Sequence, residues 1–297
     1  MRADRGKDAA GQDSGKRYRT KYTDLLQYIV LPFVVIGVLG GGIPSFAQSI
    51  ALEDAQRLFY NGRYEAAAAA TLPLCAAPVH DLAACELRTS SLLFQIKRLV
   101  GDAPDKEVAW KACATCPAIM AAFVEETARG QALARARLAA NPEDETGLFF
   151  LGKIDLNFVW LQLGTLGRKT GWDEYWEARK SLDKVLKQHP DNIRARVSRA
   201  WIDYIVGTKI PRGVRWLLGG GNKKRGLSIV RDAAATSDAD VFVLAETGFA
   251  LWDMQVREKN FGDALITARD LAVDFPDNPD LRKFIAAHEA TATVRRE

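Results

Sequence analysis

Histidines and recognisable catalytic motifs are scarce in this 297-residue chain. The three histidines are His80, His189 and His288, which the sequence pattern places near a helix start, in a turn and in the last helix. The HExxH pattern of helical zinc proteases and the GxSxG elbow of hydrolases are both absent. The histidines and motifs therefore support no catalytic set, no histidine metal site and no cofactor, and we expect a protein that is not an enzyme.

The part of the chain after residue 47 is also not basic overall. Residues 1–47 hold seven Lys or Arg and four Asp, whereas the other 250 residues hold 34 basic and 33 acidic side chains. The net charge of +4 is therefore mostly a property of the N-terminus. Because a nucleic-acid-binding body is expected to be basic in itself, a nucleic-acid partner is disfavoured.

Only one apolar run approaches the length of a membrane span, at residues 25–43. Polar and basic residues precede it, and the small residues Ser45 and Ala47 follow it, as at a signal-peptidase site. We expect residues 1–47 to be a secretory signal cleaved after Ala47 or, alternatively, an uncleaved signal anchor. In either case the body would be exported to the periplasm, or held at the envelope if the anchor is kept.

There are only four cysteines, Cys75, Cys85, Cys113 and Cys116. An even number in an exported protein favours disulfides, and proximity in sequence favours the pairs Cys75–Cys85 and Cys113–Cys116. Two alternatives stay open. The Cys113-Ala-Thr-Cys116 spacing also matches a redox dithiol, although no thioredoxin-like βαβ pattern surrounds it, and four thiolates could bind zinc.

Alternating β-branched runs are rare after residue 48, where Ala, Leu, Arg, Glu and Lys dominate. Apolar residues recur instead every three or four positions. Between residues 176 and 188, for example, Ala178, Leu182 and Val185 fall on one helical face and charged residues fall on the others. This periodicity predicts an all-α fold.

Three similar proline-containing turns separate amphipathic stretches of the chain. They are Asn141-Pro142-Glu143-Asp144, His189-Pro190-Asp191-Asn192 and Phe275-Pro276-Asp277-Asn278. The proline ends the preceding helix, and the Asp or Asn after it can cap the next helix through its side-chain oxygen. Because such a turn joins antiparallel helices, the pattern predicts a series of helical hairpins.

The residues around these turns resemble the tetratricopeptide repeat family, whose unit is a helix–turn–helix of about 34 residues. The matching positions are Tyr175, Ala178, Leu182 and Val185 before Pro190; Phe261, Ala264, Ala268 and Leu271 before Pro276; Leu148, Leu151 and Gly152 after Pro142; and residues 61–67. The resemblance implies a right-handed α-solenoid of antiparallel hairpins, closed by a helix from Pro279 to about Val294, with a concave face for a partner. We expect an N-terminal helical part over residues 48–140 and the clearest repeats over residues 141–297.

Two adjacent units depart from the family spacing by the same amount. Gly152 and Ala178 are 26 residues apart, and so are Ala200 and Gly226. We expect each insertion to lengthen a helix or to add a short one on one face of the solenoid. Insertions in repeat proteins often collect on the binding side.

The second insertion, residues 207–226, is the least generic part of the sequence. Pro211 can open a short helix, the run of three glycines at 219–221 can close it, and Asn222 can cap the next helix. The segment could plug the solenoid with Trp216 and Leu217, contact a partner or an anionic ligand, or dock on a membrane surface through the same two residues and the flanking cations. Its Trp-Leu-Leu-Gly-Gly-Gly stretch also resembles a segment of the periplasmic T-component of TRAP-type transport systems, which implies an accessory role in solute uptake.

We therefore expect a non-catalytic scaffold that binds a protein or peptide partner in the periplasm or at the cell envelope. The candidate contact residues are Trp172, Tyr175, Trp176, Arg212, Arg215 and Trp216. One alternative is a solute-binding accessory protein of a TRAP-type system, which predicts a closed apolar cavity. The other is a thiol redox protein that uses Cys113 and Cys116.

Overall fold

A computed structural model describes residues 45–236 and 240–294, which form helices and turns with no β-strand. The α-helices in these ranges are α1 Ser45–Tyr60, α2 Tyr64–Cys75, α3 Leu82–Val100, α4 Lys106–Ala112, α5 Cys116–Ala140, α6 Glu145–Val159, α7 Trp172–Gln188, α8 Ile193–Lys209, α9 Lys223–Ala234, α10 Val241–Arg257, α11 Phe261–Asp274 and α12 Pro279–Val294. A π-helix, Trp160–Thr165, continues α6, and a 3-10 helix, Arg212–Leu218, follows α8. The all-α prediction is confirmed for these residues, whereas the apolar run at 25–43 lies outside them.

Helices that are neighbours in sequence pack against each other. The pairs α1/α2, α6/α7, α8/α9 and α10/α11 form hairpins, α3 packs between α2 and α5, and α12 packs on α11. The last helix has the bounds expected from the sequence. The handedness of the solenoid and the boundary at residue 140, which falls at the end of α5, stay predictions.

The predicted helix caps are present at all three proline turns. Asp144, Asn192 and Asn278 each accept hydrogen bonds from first-turn backbone N–H groups of α6, α8 and α12, at 2.5 to 3.1 Å. These bonds satisfy N–H groups that have no partner within the helix. The turn chemistry therefore fixes where α6, α8 and α12 begin.

The paired small residues allow two hairpins to pack closely, as the sequence predicted. A Cβ atom on Gly152 would lie 3.3 Å from the carbonyl oxygen of Ala178, so α6 and α7 are in contact there. A Cβ atom on Gly226 would lie 2.6 Å from the carbonyl oxygen of Ala200, at the α8/α9 contact. The intervening insertions form the π-helix and the 3-10 helix, which confirms the expected lengthened or additional helices.

The C-terminal hairpin contacts the N-terminal one. The Asn278 side-chain amide donates to the carbonyl oxygen of Tyr60 at 2.7 Å. The Tyr60 ring centroid lies 5.2 Å from that of Phe275 and 5.5 Å from that of Phe249. These contacts bring the two ends of the described helices together, and the concave face for a partner stays a prediction.

A cluster of ionic side chains connects four helices, α3, α6, α8 and α10. Glu246 on α10 accepts hydrogen bonds from Lys153 on α6 at 2.5 Å and from Arg194 on α8 at 2.7 Å. Glu86 on α3 lies 4.0 Å from Lys153 and 3.9 Å from Arg194. Burial alone would raise the pKa of Glu246, but the two cations outweigh it and hold that pKa at about 2. Charged side chains therefore join α3, α6, α8 and α10 in the interior of the described helices.

Candidate functional site

Three aromatic residues lie in the first turns of α7. The Tyr175 ring is buried, and its centroid is 6.3 Å from the Trp172 ring and 5.2 Å from the Trp176 ring. The two tryptophans are each 43% exposed. The start of α7 therefore presents two indole rings to solvent on either side of a buried tyrosine.

The 3-10 helix after α8 is hydrogen-bonded to this part of α7. The Tyr175 hydroxyl donates to the carbonyl oxygen of Leu218 at 2.8 Å. The Arg179 guanidinium donates to the carbonyl oxygen of Gly219. Burial raises the pKa of Tyr175, so its hydroxyl stays protonated and able to donate. These bonds bring the two insertions next to each other.

Arg215 holds the 3-10 segment in its own loop. Its Nε donates to the carbonyl oxygen of Ile210 at 2.8 Å, and its Nη2 donates to that of Gly207 at 2.5 Å. Gly219 ends the short helix with a φ of 73°, a conformation that glycine adopts without strain. The segment is therefore fixed by its own backbone contacts as well as by α7.

Several apolar side chains of the 3-10 helix are exposed to solvent. Trp216 is 73% exposed, and Val214 and Leu217 beside it are also exposed. We define the aromatic patch as the exposed residues Trp172, Trp176, Val214, Trp216 and Leu217. Exposed apolar groups that are clustered in this way typically mark an interaction surface.

The chain around the patch is strongly basic. Residues 204–231 contain seven Lys or Arg and no Asp or Glu. Lys223 is paired with Glu258 at 2.7 Å, whereas Lys209, Arg212, Lys224 and Arg225 are exposed or half-buried without a described acidic partner. The apolar patch is therefore bordered by positive charge on the side of the second insertion.

The structure brings all six predicted contact residues into one region, where four face solvent and two support the loop. Trp172, Trp176, Arg212 and Trp216 face solvent. Tyr175 and Arg215 instead bond to backbone carbonyls and support the loop. Leu217 was predicted beside Trp216 as a plug or a membrane contact, and it is exposed. Sequence reasoning missed Val214 and Arg179. Val214 lies near Trp216 in the acid-free run and could have been found from it, whereas nothing in the sequence indicates the bond from Arg179 to the loop.

Among the described helices, none alone has both the length and the hydropathy of a membrane span. Helices α4 and α5 meet those criteria only when they are taken together, across a bend of 104°. Among the residues that the structure describes, no group of three His, Cys, Asp or Glu side chains is arranged to hold a metal ion.

Comparisons with known proteins find little similarity. No family model and no curated protein match the chain. A crystal structure of a thermophilic TPR protein from Thermus thermophilus is similar at 16% sequence identity and a TM-score of 0.45. That match covers 81% of this chain and 98% of the other. It shows neither a family nor an activity for this chain.

Proposed function

We propose that this chain is a non-catalytic helical scaffold that binds a partner protein through the aromatic patch. The observation that carries the proposal is the exposure of Trp216, 73%, on a segment that Tyr175 and Arg215 hold in place. A large aromatic side chain on a fixed support loses little conformational entropy on binding, and such residues dominate interface energies. The outer surface, rather than a groove, would therefore hold the partner.

The charge around the patch indicates what the partner looks like. The exposed Lys209 and Arg212 lie close in sequence to Trp216, and no acidic residue lies between positions 204 and 231. A matching partner surface has an apolar pocket for Trp216 and acidic residues around that pocket. The same charge would attract an anionic bilayer, so membrane docking is an outcome that the test must separate.

The expected location rests on residues 1–47, most of which lie outside the described residues. A chain exported by such a segment would meet its partner in the periplasm or at the envelope. The accessory role in solute uptake stays a prediction, since no contact among the described residues favours a solute. It would gain support if transport proteins were recovered as partners.

The proposal is tested by cross-linking in cells, followed by mass spectrometry of purified envelope fractions. The tagged chain is compared with Trp216→Ala/Leu217→Ser and with a control, Ile266→Ala/Val273→Ser, that changes two exposed apolar residues of α11. We expect one dominant protein partner, lost from the patch variant and kept by the control. Equal recovery from both variants would contradict the proposal.

Vesicles provide the second arm of the test. Purified chain and patch variant are mixed with vesicles of anionic and of neutral lipid, and the bound fraction is measured by co-sedimentation. One combination of results would overturn the protein-partner proposal: the purified chain binds anionic vesicles, the patch variant does not, and no protein partner is recovered from cells. That combination would assign the patch to a membrane surface.

A further inference from the structure

The two disulfides differ in how deeply they are buried. Cys75–Cys85 joins the end of α2 to α3, and both of its cysteines are 0% exposed. In Cys113–Cys116, Cys116 is 0% exposed, but Cys113 is only partly buried and the two residues between them are exposed. Cys113 therefore offers the sulfur that a second molecule can reach.

The buried sulfur of this pair is placed as a leaving group. Cys116 is the first residue of α5, a helix of 25 residues, and Thr115 precedes it as the N-cap residue. The positive end of a helix dipole stabilises a thiolate in the first turn. A thiol whose anion is stabilised leaves faster in exchange reactions. Burial of Cys116 disfavours its thiolate, so in an attack at Cys113 the N-terminal end of α5 supplies the stabilisation for the leaving sulfur.

A cavity lies against α4, the helix that ends at Cys113. It has a volume of about 320 Å³ and is lined by Lys106, Glu107, Trp110, Lys111, Leu166, Gly167 and Arg168. Trp110 and Leu166 belong to the same apolar cluster as the two cysteines. Lys111 is paired with Glu107 at 2.7 Å, and the Arg168 guanidinium lies 4.9 Å from the centroid of the Trp110 ring. The cavity can therefore hold an apolar side chain of a substrate whose thiol approaches the end of α4, and its net charge is positive.

Helix α4, which ends at Cys113, packs on the core only through partly buried side chains such as Ala109 and Trp110. It has seven residues, and none of them is fully buried. A helix of this length is not stable alone, so the disulfide bond to α5 helps hold it in place. Reduction of the pair would therefore release the covalent link between the end of α4 and the start of α5.

We propose that the Cys113–Cys116 disulfide is an exchange site that oxidises dithiols of a protein or peptide. A substrate thiolate attacks Cys113 Sγ, the bond between the two cysteines breaks, and Cys116 leaves as a thiolate that takes a proton from water. The second substrate thiol, deprotonated by solvent, attacks the substrate sulfur that is bonded to Cys113. This attack forms the substrate disulfide and releases Cys113. Two electrons and two protons pass from the substrate to the cysteine pair in one stoichiometric turnover.

This inference does not depend on the aromatic patch. Exchange chemistry needs a reachable sulfur, a stabilised leaving thiolate and a surface for the substrate, and we assign these roles to Cys113, to Cys116 at the start of α5 and to the surface of α4. The β-strands of thioredoxin-like proteins are not required for the step itself.

The first test uses the wild-type chain, with Cys75–Cys85 as its internal control. The oxidised protein is treated with dithiothreitol under native conditions, and each cysteine pair is followed by alkylation and mass spectrometry. We expect Cys113–Cys116 to be reduced at least about tenfold faster than Cys75–Cys85. Equal rates for the two pairs, or reduction only on unfolding, would overturn the proposal.

The second test measures transfer to a substrate. Reduced, unfolded ribonuclease A is mixed with the oxidised chain, and the loss of its thiols is titrated. We expect about one disulfide transferred per chain, and none from the Cys113→Ser/Cys116→Ser variant, which keeps Cys75–Cys85. Equal thiol loss with the variant would contradict an exchange site at this pair.

Single variants identify the attacked sulfur. Cys116→Ser leaves only the Cys113 thiol of this pair, and Cys113→Ser leaves only the Cys116 thiol. We expect the Cys116→Ser protein to form a mixed disulfide with Ellman's reagent at least about tenfold faster than the Cys113→Ser protein. The reverse order would rule out the proposed direction of attack.

Discussion

The hydroxyl of Tyr175 donates a hydrogen bond to the carbonyl oxygen of Leu218 across 2.8 Å. It joins the start of α7 to the end of the 3-10 helix, two segments that belong to different insertions. Trp216 and Leu217 directly precede Leu218, so this bond helps determine how the aromatic patch is presented. The proposed binding surface therefore depends on a buried tyrosine that a partner would not touch.

Tyr175→Phe should loosen the patch without removing any of its exposed side chains. The change deletes one donor to a backbone carbonyl, which is worth about 1 kcal/mol of the free energy of unfolding. We expect faster amide hydrogen exchange over residues 212–221 and weaker partner capture. Tyr204→Phe is a matched control, because it loses a hydroxyl bond of 2.7 Å to Glu258, at the end of α10, rather than to the 3-10 helix. Unchanged exchange over residues 212–221 would show that the bond does not hold the loop.

Gly226→Ala should destabilise the contact between α8 and α9. The added Cβ would lie 2.6 Å from the carbonyl oxygen of Ala200 and 3.0 Å from the Cβ of Tyr204, so the helices must move apart. We expect a loss of about 1–3 kcal/mol in the free energy of unfolding, measured by urea denaturation. Gly262→Ala is the control, since nothing lies within 4 Å of its Cβ position in α11. That change should be neutral or stabilising by up to about 1 kcal/mol.

Glu246→Gln should leave two partly buried cations without their nearest anion, so that only the more distant Glu86 faces them. Removing one partner of a buried ion pair costs about 3–5 kcal/mol, and Glu246 faces both Lys153 and Arg194. The folded pKa of about 2 is below the ordinary value of 4.5, so this carboxylate's stabilising effect is complete above about pH 4.5 and is lost as the pH falls towards 2. The difference in the free energy of unfolding between wild type and variant, measured by urea denaturation, should therefore become smaller as the pH is lowered.

A surface carboxylate provides the comparison for that experiment. Glu125 pairs with Arg129 at 2.9 Å, but its side chain is exposed. Glu125→Gln should change the free energy of unfolding by less than about 1 kcal/mol. Equal losses from Glu125→Gln and Glu246→Gln would contradict a specific role for the interior cluster.

Asp155→Asn should stabilise the protein at neutral pH. Asp155 is fully buried on α6, and burial raises its pKa to about 8, although the bond from Gln131 at 2.7 Å acts in the opposite direction. Because the folded pKa is above the unfolded one, the wild type loses stability as the pH rises from about 4 to 8. The variant should gain about 1–4 kcal/mol at pH 7 and nothing near pH 4, as measured by urea denaturation. A pH-independent difference would show that the carboxyl does not titrate in this range.

Local chemistry in the sequence predicted much of the fold. The caps at Asp144 and Asn192 and the close pair formed by Gly152 and Ala178 follow from residue type and spacing, because each involves one turn or two neighbouring helices. The pairing of the cysteines also followed from proximity. Such features depend on short stretches of chain, which a sequence pattern describes well.

Contacts between distant segments could not be predicted in this way. Asn278 bonds to Tyr60 across 218 positions, and Lys153 meets Glu246 across 93. Neither contact leaves a periodic signal, because each depends on how the hairpins stack. The same reason explains why Tyr175 was predicted as a contact residue, when its hydroxyl instead supports the loop.

Site-specific photo-cross-linking shows which surface of the chain contacts the partner. A photoreactive amino acid is placed at position 216 or, as a control, at position 273, where Val273 is 79% exposed on α11. We expect a probe at position 216 to capture one dominant partner protein in cells and a probe at position 273 to capture none. Capture of the same partner from position 273 alone, or with equal yield from both positions, would contradict a binding surface centred on Trp216.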